Sequence, residues 1–171
     1  MCNLKIRRAA SSDLDEIVAL RLLSQDHFEE SNPLIWRTTE EGKKLIKQEV
    51  ETDMTDSNVL TLLAEADGEA IGYVRGEVTN RSDHMPRTVG QISLMYVMKQ
   101  FRRKGAGRAL MKELCKFFKS NKAENLTVRY IIGNKEAEGF WAKLGFESII
   151  ITGSTYIEEL DSKLNVIARV C

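Results

Sequence analysis

A chain of 171 residues, 43% apolar and 29% charged, is long enough to bury roughly two-thirds of its unfolded surface as one domain, so neither a disulfide framework nor a structural metal is needed. Cys2, Cys115 and Cys171 are odd in number and lack paired spacing, which suggests free thiols in a reducing compartment. No apolar run approaches the roughly 18 residues of a membrane span and the N-terminus lacks a signal peptide's apolar stretch, so a cytoplasmic protein with no membrane partner is expected.

Leu4-Lys5-Ile6-Arg7 alternates like a first strand. Ser11, Ser12 and Asp13 then offer helix caps before Leu14, Ile17, Val18 and Leu22 mark one helical face. After the Ser31-Asn32-Pro33 break, Thr38-Thr39-Glu40-Glu41 opens a second helix carrying Leu45, Ile46, Val50 and Met54. Val59–Ala66 and Ala70–Val78 are apolar-rich runs joined by Asp67-Gly68, a hairpin signal that predicts antiparallel pairing. The polar stretch 80–87, with Pro86, is a loop before a strand at 88–98.

A glycine loop follows, then a helix to about Lys119 with Ala106, Leu110, Leu114, Phe117 and Phe118 at helical spacing. A strand at 125–132, a helix over Lys135–Leu144 stopped by Gly145, and closing strands within Glu147–Thr152 and Asn165–Val170 complete a single domain over 1–171. No repeat or low-complexity linker interrupts it.

The segment Val97-Met-Lys-Gln-Phe-Arg-Arg-Lys-Gly-Ala-Gly-Arg108 is built to hold phosphates. Five of its twelve residues are cationic (Lys99, Arg102, Arg103, Lys104, Arg108) and none is acidic, while Gly105 and Gly107 free the backbone to turn N–H groups toward an anion at a helix N-terminus. Gly-x-x-x-x-Gly-Lys-Ser/Thr is absent, and Gly-x-Gly-x-x-Gly fails at Leu110, so neither a P-loop nor a dinucleotide fingerprint is present. Net charge is zero, yet residues 1–70 carry 15 acids and 8 bases (8 − 15 = −7), leaving +7 on residues 71–171, the part with the loop. The cations crowd one tight turn without interleaved aromatics, unlike the spread of phosphate contacts that nucleic acid requires, so no nucleic-acid partner is expected.

Arg102-x-x-Gly105-x-Gly107, after a strand ending at Val97, resembles the acetyl-CoA motif of the GNAT N-acetyltransferase superfamily, Arg/Gln-x-x-Gly-x-Gly/Ala. A second block, Asn134-x-x-Ala137-x-x-Phe140-Trp141-x-x-Leu144-Gly145-Phe146, is similar to that family's Asn-x-x-Ala-x-x-Phe-Tyr-x-x-Leu-Gly-Phe and lies in the right order and separation. The resemblance implies an α/β (α+β) fold with a mixed, mostly antiparallel sheet flanked by helices, whose fourth and fifth strands, 88–98 and 125–132 here, splay to admit the pantetheine arm. It implies a direct transfer from acetyl-CoA to an amine with no metal. It also implies a pyrophosphate cradle on the backbone of Arg103, Lys104, Gly105, Ala106, Gly107 and Arg108, with Met95, Tyr96 and Val97 lining the pantetheine and the Val97 N–H polarising the thioester carbonyl. Asn134 and Phe140 would complete the cofactor site. Read from the residues alone, Asn134 is an N-cap, and the side chains of Met95, Val97, Phe140 and Leu144 are core.

The chain departs from the pattern where proton transfer is at stake. Trp141 stands where many members carry a Tyr acid, Arg129 where others have a Glu, and the fourth strand offers only Gln91, Ser93 and Tyr96. Glu77, Tyr96 and the pair Asp83-His84 are the remaining candidates, so catalysis mainly by proximity and oxyanion binding is expected. The acceptor should approach over the first two helices and the 80–87 loop, where Asp26, Glu29, Glu30, Glu40, Glu41, Glu49, Glu51, Asp53 and Asp56 suit a cationic amine: a small molecule such as a polyamine or aminoglycoside, or a protein N-terminus or lysine. The alternative is a catalytically degenerate acetyl-CoA sensor. Members of the family often form homodimers through their C-terminal strands, though no residue pattern here shows it.

Overall fold

In the computed structural model, which describes residues 3–31 and 37–167, five strands lie side by side in chain order: β1 Leu4–Arg8, β2 Val59–Ala66, β3 Glu69–Asn80, β4 Thr88–Val97 and β5 Asn125–Val128. The first three pairings are antiparallel and β4–β5 is parallel. The β2–β3 hairpin turns on Asp67 (φ 51°) and Gly68 (φ 92°); two successive left-handed residues match the right-handed twist of the strands they join. Met98 follows β4, and a short 3-10 turn at Lys99–Phe101 leads toward the glycine loop.

β2 and β3 read as nearly continuous apolar runs because both faces of the sheet are covered. α1 (Leu14–Ser31) and α2 (Glu40–Thr55) pack Ile17, Leu20, Ile46 and Val50 against Leu63 and Tyr73. On the other face α3 (Ala106–Ser120) and Trp141 of α4 (Lys135–Lys143) meet Leu62, Ala64, Val74, Val78 and Ile92. The β4–α3–β5 crossover makes the last pairing parallel, since a parallel neighbour cannot be reached by a hairpin. No helix among the described residues is long and apolar enough to cross a membrane. Cys115, half-buried on α3, is a free thiol; Cys2 and Cys171 lie outside the described residues.

The sheet comes apart at a defined point. Arg75 of β3 is opposite Leu94 but Gly76 is opposite Ile92, so Ser93 is an extra residue that bulges β4. The β4–β5 pairing ends at Ile92 opposite Val128, just before the bulge, and Leu94 to Val97 stay bonded to β3 alone. The strand expected at 125–132 is therefore four residues long: past Val128 the bent β4 offers it no ladder.

The closing strands differ from expectation. Glu147–Thr152 forms no strand, and Ile149, Ile150 and Ile151 are exposed; the outer edge of β5 ends at Val128 and pairs with no further strand among the described residues. Asn165 to Ile167 belong to a helix, α5 (Ile157–Ile167), and the rest of the predicted last strand, 168–170, lies outside the described residues. Ile157, Leu160 and Leu164 recur at helical spacing with Glu158 and Glu159 in the first turn, a pattern that suits a helix.

Candidate active site

The open stretch of β4, the glycine loop and the start of α4 meet at the end of β4. Met98 donates its N–H to the Ile71 carbonyl at 2.9 Å; because successive residues of a strand alternate their hydrogen-bonding direction, Val97 turns its N–H and C=O away from β3, toward the side that β5 has left. The Val97 carbonyl accepts from Arg102 Nε at 2.9 Å, on that same side.

The loop then makes two left-handed turns, Arg103 at φ 60° and Gly105 at φ 91°. Nothing lies within 4 Å of where a Cβ on Gly105 would stand, so its glycine answers to conformation and not to space. Gly105 is the N-cap of α3 and supplies no side-chain cap. The first N–H groups of the helix, on Ala106, Gly107 and Arg108, have no carbonyl one turn back to receive them. They sit at the positive end of a 15-residue helix. Arg103, Lys104 and Arg108 are all exposed beside them. Backbone donors, helix dipole and side-chain cations at one point form an anion cradle that suits a diphosphate.

Gly107 plays a different part. A Cβ there would lie 3.0 Å from Met95 Cε and 3.3 Å from Phe140 Cε2, so its absence lets the first turn of α3 pack against both β4 and α4. Asn134 caps α4 by accepting from the Ala137 N–H at 3.1 Å, as its position predicts. Arg102 ties the pieces together: its NH1 group bonds Glu136 of α4 at 2.7 Å and its guanidinium lies 5.6 Å from the Tyr96 ring centre. Contacts thus join Met95, Tyr96, Val97, Arg102, Gly107, Glu136 and Phe140 at the end of β4, with Arg103 to Arg108 on the adjoining loop and helix start and Asn134 at the cap of α4.

The other candidates are elsewhere. Glu77 stands opposite Gln91, six residues or roughly 20 Å along β4 from Val97, and its carboxylate accepts from Arg75 at 2.7 Å. Asp83 and His84 pair with each other at 2.9 Å in an exposed loop before the start of β4, roughly 30 Å from its end. Trp141 is 5% exposed and stacks edge-on with Phe140 and Phe146; it is a core residue.

On the opposite face of the sheet, a cavity of about 550 Å³ opens between α1, α2 and β4, lined by Arg21, Glu49, Asp53, Arg75, Ser93 and Leu94 among others. Arg75 grips Asp53 through two nitrogens at 2.6 and 2.8 Å and also donates to Glu77 and to the bulged Ser93. Arg21 pairs with Glu49 at 2.8 Å. The acidic face is therefore largely satisfied from within: Glu29 accepts from Gln25 and from the Thr38 N–H, Glu40 pairs with Lys43, and Asp56 accepts from the Asn58 N–H.

His27 is a residue that the sequence motifs do not single out. It lies on α1 with its ring centre 6.3 Å from that of Tyr96. The signal that finds it is a stripe, Ile17, Leu20, Ser24 and His27, at helical spacing: the first three are at most 4% exposed, which aims the fourth at the sheet. Ser24 and Tyr73 are neighbouring buried residues on this face of the sheet, and burial pushes the Tyr73 phenol well above its ordinary range.

Residues 20–146 match the family model described as "Acetyltransferase (GNAT) family". An N-alpha-acetyltransferase of Sulfurisphaera tokodaii is 24% identical over 166 residues, which cover 94% of this chain and 90% of the relative. Among solved structures, a tetramutant of the BH1408 protein from Bacillus halodurans superposes with a TM-score of 0.78 at 17% identity, over 90% of this chain and 99% of that one. The aminoglycoside N-acetyltransferase AAC(6')-Iy, solved in complex with CoA, superposes with a TM-score of 0.71 at 16% identity, over 91% and 95% of the two chains.

Proposed function

Because this chain belongs to the GNAT acetyltransferase family, we propose that its 1–171 domain moves the acetyl group of acetyl-CoA to a primary amine of a small cationic molecule or of a protein or peptide. The observation that carries this reading is the open edge of β4 ending at Val97 beside the uncapped start of α3. An extended pantetheine arm laid along that edge brings the thioester to the strand end while the pyrophosphate rests on the N–H groups of residues 103–108. Arg103, Lys104 and Arg108 add charge there, and Met95, Asn134 and Phe140 wall the arm.

In this reading the Val97 N–H donates to the thioester oxygen and strengthens as that oxygen gains charge, which is stabilisation specific to the transition state. The amine nitrogen attacks the carbonyl carbon, the C–N bond forms, the tetrahedral oxyanion collapses, the C–S bond breaks and CoA leaves as a thiolate. Trp141, buried and without a transferable proton, supplies no acid to the sulfur. Most of the acceleration comes from holding amine and thioester together.

The replaced Tyr at Trp141 and the lack of a carboxylate on β4 favour one rival, a sensor that binds acetyl-CoA without turnover. Both readings are separated by measuring free CoA thiol on mixing protein, acetyl-CoA and an amine panel of spermidine, sisomicin and a lysine-rich peptide. A transferase releases thiol in step with the acceptor. Saturable acetyl-CoA binding with no acceptor-dependent thiol overturns the enzyme reading in favour of the sensor.

A further inference from the structure

Removing a proton from the attacking amine is the one requirement that the residues at the end of β4 leave unassigned. Glu77 and the Asp83-His84 pair are distant, and Arg75 engages Glu77. Arg102 and Glu136 pair with each other at 2.7 Å. Tyr96 has the Arg102 guanidinium 5.6 Å and the His27 ring centre 6.3 Å from its own ring centre, and it immediately precedes Val97.

His27 is on the α1–α2 face of the sheet, whereas the glycine loop and α4 belong to the other face. A thioester reaching the end of β4 from the loop side would present its carbonyl carbon to the face on which the imidazole sits. The stripe Ile17, Leu20 and Ser24 fixes the register of α1, and the helix thereby holds a half-buried imidazole one aromatic ring away from the strand end. We propose that His27 is the proton acceptor for the incoming amine. This rests on the acetyltransferase reading above and adds the residue that reading lacks.

The step balances without a further reactant. As the amine nitrogen bonds the carbonyl carbon, its proton passes to the neutral imidazole, which becomes imidazolium; the electron pair of the breaking C–S bond leaves with the CoA thiolate, and the imidazolium returns its proton to that thiolate or to water. The groups facing the ring are Tyr96 of β4, Lys99 and Arg102 beyond it, Glu136 of α4 and Glu30 of α1 itself. Burial and then the Arg102 charge hold the imidazole below its ordinary value, with Lys99 in the same sense and Glu136 and Glu30 opposing. Near pH 7 the ring is consequently neutral and able to accept.

The test compares the full-length wild type with His27→Gln, following acceptor-dependent CoA thiol with the same amine panel between pH 5 and 9 and acetyl-CoA binding by calorimetry. The expected result is unchanged acetyl-CoA affinity, a fall in kcat of about 100-fold or more, and loss of the acidic limb of the kcat/KM profile. A His27→Gln enzyme that keeps both its rate and its acidic limb overturns the assignment and leaves the transferase reading standing. Wild type that binds acetyl-CoA but releases no acceptor-dependent thiol overturns that reading and this assignment together. Should His27→Gln not fold, the His27 ring is titrated by NMR in the wild type: a pKa that coincides with the acidic limb supports the role, and one that does not refutes it.

Discussion

Gly105 and Gly139 separate a glycine needed for its backbone angle from one that is not. Neither position has an atom within 4 Å of where a Cβ would stand, but Gly105 is at φ 91° and Gly139 lies inside helix α4. Alanine at 105 must either hold a left-handed backbone, at roughly 1–2 kcal/mol, or let the loop relax out of its cradle. Relaxation spares the free protein but must be reversed when a diphosphate binds, so the two losses share one total. Stability and acetyl-CoA affinity together should fall by about 1–2 kcal/mol, a 5- to 30-fold weakening if all of it appears in binding. Gly139→Ala removes the entropy cost of a mid-helix glycine and should raise stability by about 0.5–1 kcal/mol with binding untouched. Urea unfolding and calorimetric titration with acetyl-CoA measure both. If Gly105→Ala matches the wild type in stability and in affinity, the left-handed cradle is not what the loop's glycine provides.

Arg75→Met should cost about 2–3 kcal/mol by denaturant unfolding, since Asp53 and Glu77, 16% and 28% exposed, would be left without their cation; Asp53→Asn in the same background should recover part of the loss. Asp13 is held below the usual carboxylate range chiefly by its bonds from Arg7, with burial opposing and the Ala10 N–H assisting. A folded value below the unfolded one near 3.9 means that stability from this group is present above about pH 4 and is lost as pH falls through the folded value, so Asp13→Asn should flatten that part of the acid unfolding curve. Trp141→Ala should cost about 3–5 kcal/mol, whereas Trp141→Phe should leave kcat within about twofold, and a large kcat loss at normal acetyl-CoA affinity would contradict a packing role.

Backbone-driven features are legible in the sequence, because glycines, caps and apolar periods act locally. Asp67-Gly68 marks its hairpin, Asn134 its cap, and Arg102-x-x-Gly105-x-Gly107 its turn into α3. What needs coordinates is the point where β4 and β5 part: the single extra residue Ser93 sits in an unremarkable run of strand formers, and only the register reveals it. The closing strands mislead for a related reason. Ile149 to Ile151 have strand composition, but a strand exists only beside a partner, and Val128 ends the edge that would serve.

Charge is legible as a count and not as a field. Nine acids over the first two helices and their flanks suggest an anionic face for a cationic acceptor, yet Glu29, Glu40, Glu49, Asp53 and Asp56 all accept bonds from within the chain. Asp26 and Glu30 are exposed on the same end of α1 as His27. If a cationic amine enters over that end, they steer it through solvent, where charges act across a Debye length of about 8 Å at 0.15 M salt and far less at 1 M. Asp26→Asn with Glu30→Gln should then raise KM for spermidine several-fold at low salt, with kcat nearly constant, and the difference should vanish near 1 M salt. An unchanged KM at low salt would mean that the amine does not enter over α1, and the paired cavity around Arg75 would become the route to examine by substitution.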